Sequence, residues 1–405
     1  MFEGVLEYIL LRFTTMRGLY FDLDLGKIKE AKNFSLIRYK GHWEVPQIGE
    51  PNQVRVRTTL GGICGTDLHQ VFIEISPFAS ILGATVNPSP LGHEIVGIVS
   101  ECGEKVKDLK EGDRVILNPL SHCATKGIDL CPSCRVGNWQ QCYNIAGGGL
   151  VTGGFSEYFS CYEKQLYKVP KSVPDDVAVL TEPFAVAIHA ICRNPPKDDD
   201  TVVVVGAGTI GLMVIAAIRA LGHRCNIVSL ARYPFQAEIA NRLGSDEIIT
   251  EKNKRALYKK MVKVKGEGKL FIVAGQKYIF GNVGPDLIYD CVGTEASMND
   301  SLHYVRSNGK IVIVGLGYSI TKNLDWSVQA YKEVTIVGSI MYGLQNISGR
   351  KCDPFEMALD FFSENSELFE GIVTHKFKIE DYKEAFKCMM SKRDTQGIKV
   401  VLLFC

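Results

Sequence analysis

The sequence predicts an α/β protein in which a doubly wound parallel-sheet domain is set into a β-rich domain. From about residue 201 onwards, continuous apolar strands alternate with apolar helices, and a glycine turn joins the first strand to its helix. Before them, short alternating runs such as NQVRVRTTL within residues 18–60 read as half-buried strands, with Gly-, Pro- and Asn-punctuated loops at 83–92 and 118–154. At 405 residues the chain exceeds what one hydrophobic core serves, so two domains are expected.

The first residues, MFEGVLEYILLRFTTMRGLYFD, do not read as a targeting signal. Glu3 sits where a positive region belongs, Glu7 breaks the apolar run, and no small-residue cleavage site follows. Residues 1–15 read as an appendage or an upstream start, because Met16 precedes the strand-like RGLYFDL. No uncharged apolar run reaches about 18 residues, so no membrane span is expected. Lys plus Arg total 46 and Asp plus Glu 45, which gives no overall field for nucleic acid or an anionic membrane, and neither partner is expected. Thirteen cysteines without an export signal read as reduced thiols in a cytoplasmic protein.

The texture changes at Asn194-Pro195-Pro196-Lys197-Asp198-Asp199-Asp200, a linker-like run. Strand and helix patterns then alternate through GKIVIVGLG to EVTIVGSIMYG. The parallel-sheet domain is therefore expected over 194–344, and 1–193 with 345–405 should form the β-rich domain, whose tail reads as helix then strand. Residues 251–282 are longer than a plain connection needs.

Val202–Val205 lead directly into Gly206-Ala207-Gly208-Thr209-Ile210-Gly211, a G-x-G-x-x-G between strand and helix. The first glycine permits a tight turn, the second lets a pyrophosphate approach the backbone, and the third lets helix pack on strand. The helix N-terminus then faces the anion. Glycines used only for packing are the bland alternative, which the flanking strand and helix disfavour. NAD-binding folds end the second strand in an acid that holds the ribose 2′-hydroxyl. Here NIVSL runs into Ala231 and Arg232, which suits a 2′-phosphate, so NADP is expected over NAD. A solvated surface arginine is the other reading.

GGICGTDLH places Cys64, Thr66, Asp67 and His69 within six residues; His93 and Glu94 follow in PLGHEIVG, and Glu182 in LTEPFAVA. A catalytic zinc takes thiolate, imidazole or carboxylate ligands and keeps one position open, a demand that Cys64, His93 and one glutamate meet. Thr66 and His69 would relay a proton to solvent, and Asp67 would hold the far nitrogen of His93. Each residue alone has an ordinary reading: a small buried thiol, a structural histidine, a glutamate capping a helix with Pro183 in its first turn. Their combination favours a site.

With GGICGTDLH, GHEIVGIV, EGDRV, TEPFAVAIHA, VVVVGAGTIGL, DCVG and GKIVIVGLG in this order from about residue 18, the chain resembles the zinc-dependent medium-chain alcohol dehydrogenases, which include sorbitol, threonine and glucose dehydrogenases. The resemblance implies a GroES-like catalytic domain and a Rossmann domain. It implies zinc ligation by Cys64, His93 and Glu182, an approach of Glu94 to the metal during ligand exchange, and proton transfer through Thr66 and His69. Glutamate at 182 resembles the polyol, sugar and threonine branch. A homotetramer or homodimer, paired near VTIVGSIMYG, is implied as well.

The family's structural-zinc lobe spaces its cysteines by two, two and seven residues, whereas Cys123, Cys131, Cys134 and Cys142 are spaced by seven, two and seven. Ile128 occupies the usual first position. Cys123 would loop round to close four thiolates about a second zinc, with His122 as a substitute ligand and a metal-free loop as the alternative. The expected activity is hydride transfer between a secondary, polyol or cyclic alcohol and NAD(P). The rivals are a zinc-free NADPH-dependent reductase of an activated double bond, a non-catalytic zinc and dinucleotide binder, and a lyase or epimerase that uses bound NAD(P) transiently.

Overall fold

The computed structural model describes residues 15–21, 34, 36–72, 89–145, 153–265, 269–273, 276–317 and 321–404. The N-terminal appendage lies almost wholly outside the described residues, as does 73–88, which takes in most of the loop expected at 83–92. The chain divides into two units, one of Met1–Glu182, Phe362–Ser366 and Val373–Cys405, the other of Pro183–Phe361 and Glu367–Ile372.

In the first unit, one sheet runs in the order Val373–Lys378, Lys399–Leu403, Gln53–Gly62, Glu94–Cys102, Arg114–Leu117, Leu166–Lys168, with Tyr158–Tyr162 also paired to Gln53–Gly62. Gln53–Gly62 buries Val54, Val56, Thr58 and Leu60 alternately, as a strand with one face on a core must. Val54, Val56, Ile95, Val99, Val115 and Leu117 pack together on that face. A second cluster holds Ile63, Leu91, Phe155, Phe386, Val400 and Leu402. It anchors the backbone next to Cys64 and His93.

In the second unit, six parallel strands lie in the order Glu247–Ile249, Asn226–Leu230, Thr201–Val205, Leu287–Asp290, Lys310–Ile313, Thr335–Gly338. This 3-2-1-4-5-6 order is that of a dinucleotide-binding fold. Every residue of Thr201–Val205 is buried, as a central strand covered on both faces requires. The described residues within 251–282 include helix Lys254–Met261 and an antiparallel pair, Leu270–Val273 with Gln276–Ile279. Tyr258, Met261 and Ile279 join these elements to the core of the sheet.

The second unit begins before residue 194 and extends past 344, where the composition shift suggested its limits. Helix Thr181–Arg193 accounts for the early start. Phe184 packs on Phe361 and Phe369, His189 is hydrogen bonded by Gln345 at 2.7 Å, and the Tyr289 hydroxyl donates to the Asn194 carbonyl at 2.5 Å. The linker-like run thus follows an element that already belongs to this core.

Candidate active site and metal centres

Strand register assembles the first site. Gly62 pairs with Glu94 on one side and with Val401 on the other. Cys64, two residues past Gly62, therefore leaves its strand beside His93 and opposite Lys399. The chain then turns into helix Gly65–Val71, where Thr66 and His69, three residues apart, share a face.

The Cys64 sulfur, a His93 ring nitrogen and a Glu94 carboxylate oxygen lie within 4.8 Å of one another. The Cys64 thiol also reaches Thr66 Oγ1 at 3.6 Å. Asp67 is buried and accepts hydrogen bonds from the backbone N–H of Cys64 at 2.9 Å and of Gly92 at 3.4 Å. His93 Nδ1 stands 3.7 Å from Asp67 Oδ1, an ion-pair distance rather than the direct hydrogen bond expected. Asp67 thus ties together the two backbone segments that present Cys64 and His93.

Glu94 is buried and paired with Lys399, whose ammonium donates to Glu94 Oε1 at 2.8 Å and to the Ile63 carbonyl at 3.2 Å. Gly62 makes room for this carboxylate, because a Cβ there would overlap it. Glu182 lies in the first turn of Thr181–Arg193 and stands outside the group of three. Its charge nonetheless acts on His93 and Lys399.

Burial opposes charge on His93, yet Cys64, Asp67 and Glu182 raise its pKa well above the usual imidazole value. Anionic donors that pull a proton onto an imidazole form a pocket suited to a cation. Sulfur, nitrogen and carboxylate oxygen are the donors zinc takes, so the residues present fit that metal. Lys399 is the residue the sequence reasoning overlooked. Its signal is a single lysine in the otherwise apolar IKVVLLF, a residue type almost never buried unless paired.

The sulfur atoms of Cys123, Cys131, Cys134 and Cys142 all lie within 4.8 Å of one another, and all twelve described cysteines are free. The longer first spacing is taken up by helix Cys123–Lys126, which leaves Ile128 exposed and Cys123 inside the group. His122 instead stacks on Trp139, ring centroids 4.5 Å apart, and burial lowers its pKa to about 4. Backbone N–H groups of Cys134 and Tyr143 point at the Cys131 sulfur and lower its pKa to about 6. Asn144 donates to the Cys123 sulfur at 3.2 Å. Four thiols braced in this way fit a closed zinc site.

In the second unit, Gly206 has φ +89°, a conformation that favours glycine, and Gly208 caps helix Thr209–Ala220. A Cβ on Gly211 would overlap the Gly206 carbonyl, so the turn closes only with glycine at both positions. Ala207 is buried, and Thr209 and Ile210 open the helix whose N-terminus suits a pyrophosphate. Arg232 follows strand Asn226–Leu230, is exposed, and lies over the Tyr233 ring at 5.7 Å.

Comparison with known proteins agrees with both units. The family model for the alcohol dehydrogenase GroES-like domain matches residues 50–171, and that for zinc-binding dehydrogenases matches 209–363, together more than half of the chain. L-idonate 5-dehydrogenase of Vitis vinifera is 29% identical over 362 residues, covering 88% of this chain and 89% of that one. Sorbitol dehydrogenase of Arabidopsis thaliana is 29% identical over 362 residues, with 88% and 90% covered. The crystal structure of 2R,3R-butanediol dehydrogenase from Bacillus subtilis superposes with a TM-score of 0.69 at 25% identity, over 96% of this chain and 100% of that one. The chain belongs to the zinc-dependent medium-chain alcohol dehydrogenases of the medium-chain dehydrogenase/reductase superfamily, which pass hydride between an alcohol and a nicotinamide dinucleotide.

Proposed function

We propose that this oxidoreductase interconverts a secondary alcohol, a polyol above all, with its ketone, and that it prefers NADP(H) to NAD(H). The observation that carries the reading is the convergence of Cys64, His93 and Glu94 beside Thr66. Relatives named for idonate, sorbitol and butanediol act on alcohols with a hydroxyl on a neighbouring carbon, which supports a polyol. A zinc-free double-bond reductase has no use for this donor set.

Bound zinc would supply Lewis acidity toward the substrate oxygen, and a bound nicotinamide dinucleotide would supply the hydride acceptor. The chain's own residues do the rest. Cys64, His93 and a glutamate, Glu182 or Glu94, hold the metal. The Thr66 hydroxyl would accept the alcohol proton while releasing its own toward His69, on the same helical face, for passage to solvent. Asp67 keeps Cys64 and His93 in place through their backbone. The Gly206–Gly211 turn seats the pyrophosphate, and Arg232 meets the 2′-phosphate. A homodimer or homotetramer paired through the edge strand Thr335–Gly338 completes the reading.

Steady-state kinetics with sorbitol and 2,3-butanediol, each with NADP⁺ and NAD⁺, test this. Arg232→Ala should raise the KM for NADP⁺ about tenfold or more and leave that for NAD⁺ unchanged. Equal effects on both would remove the NADP assignment. Cys64→Ser should abolish turnover and spare dinucleotide binding, because Cys64 and the glycine turn belong to different units.

A further inference from the structure

The even charge of the whole chain conceals a local excess. Residues 252–277 hold nine basic side chains and one acidic one, Glu267, in a protein of formal net charge +1. Helix Lys254–Met261 turns Tyr258 and Met261 into the core and leaves Lys254, Arg255, Lys259 and Lys260 exposed, with Lys263 and Lys269 exposed after it. Lys254 pairs with Asp300 and Lys265 with Asp286.

The neighbouring hairpin adds exposed apolar surface. Leu270, Tyr278 and Ile279 pack into the core of the sheet. Phe271 and Ile272, by contrast, are 42% and 62% exposed, and Phe280 is 48% exposed. Successive strand residues point to opposite faces, and across the ladder Phe271 meets Tyr278 while Ile272 meets Lys277. Solvent thus reaches both faces of the hairpin. The Lys269 ammonium lies 5.8 Å from the centre of the Phe271 ring.

Large apolar side chains among lysines match the boundary layer of an anionic bilayer: the apolar groups enter beside the acyl chains, and the ammonium groups meet the headgroup phosphates. We propose that helix Lys254–Met261 and the strand pair Leu270–Val273 and Gln276–Ile279 dock this protein reversibly on an anionic phospholipid surface. Attachment is peripheral, since no helix among the described residues is long and apolar enough to cross a membrane. A second copy of the chain fits this face poorly, because two such positive surfaces repel each other. A nucleic-acid strand would use the lysines and leave Ile272 without a role.

Co-sedimentation of the full chain with phosphatidylcholine vesicles, with and without phosphatidylserine, tests the proposal. The protein should pellet only with phosphatidylserine present, and added salt should release it. Phe271→Ser with Ile272→Ser should lower partitioning about tenfold or more. Lys259→Glu with Lys260→Glu and Lys263→Glu should abolish it. Both variants should keep wild-type dinucleotide binding, which shows that they fold. No pelleting of the wild type, or pelleting unchanged by the serine pair, would overturn the proposal. Capture by polyuridylate without vesicle binding would also overturn it, in favour of nucleic acid. Self-association lost in the serine pair, again without vesicle binding, would overturn it in favour of a second copy.

Discussion

Lys399 and Glu94, 305 residues apart in sequence, form a buried ion pair at 2.8 Å beside Cys64. The missing side chain at Gly62 leaves the space that the Glu94 carboxylate fills, and the carboxylate is buried there. Replacing Lys399 with Met strands that charge, which should cost on the order of 3–5 kcal/mol. Thermal unfolding of Lys399→Met, and of Lys399→Met with Glu94→Leu, measures this. The double variant should recover most of the loss; equal losses would show that the pair itself is not the source.

Asp67 accepts from the Cys64 and Gly92 backbone and sits 3.7 Å from His93 Nδ1. Asp67→Asn should weaken zinc binding roughly 10–100-fold, as loss of a ligand's supporting contacts does, and leave dinucleotide affinity unchanged. Chelator competition gives the first number and fluorescence titration the second. Unaltered zinc affinity would take Asp67 out of this role.

Gly211→Ala should do the reverse. Its Cβ would collide with the Gly206 carbonyl inside the turn, so dinucleotide affinity should fall about tenfold or more while metal content stays constant. Isothermal titration with NADPH decides it, and a wild-type affinity would mean that the turn relaxes freely.

The Asp286 carboxylate accepts from Lys265 at 2.5 Å, Arg306 at 2.6 Å and the Thr201 N–H at 2.8 Å. Burial alone would raise its pKa, but these donors outweigh burial and lower it. A lowered folded pKa stabilises above the unfolded carboxylate value of about 3.9, and that stability is lost as pH falls through the folded value. Asp286→Asn should therefore be less stable at neutral pH by about 1–3 kcal/mol, a figure kept small because Lys265 is solvated. The gap should close in acid. A gap that holds constant below pH 4 would contradict the assignment.

Legibility in the sequence tracked how locally each feature is encoded. The Gly206–Gly211 turn and the Cys131-x-x-Cys134 pair place their chemistry within a few residues, so spacing alone exposes them. Lys399 joins the site only through the pairing of Val401 with Gly62, a relation that no local pattern carries. The domain limits depend on a relation of the same kind. Asn194–Asp200 has the composition of a linker, but packing of Phe184 on Phe361 and Phe369, not composition, decides which core helix Thr181–Arg193 joins. Residues 251–282 stood out by length alone, and their exposed Phe271 and Ile272 follow from tertiary packing.

Zinc per chain, measured by elemental analysis on wild type, Cys64→Ser and Cys131→Ser, tests the central claim most directly. The geometry calls for two zincs in the wild type, with each variant losing one and retaining the other. A wild type without zinc that still binds dinucleotide would contradict the alcohol dehydrogenase mechanism.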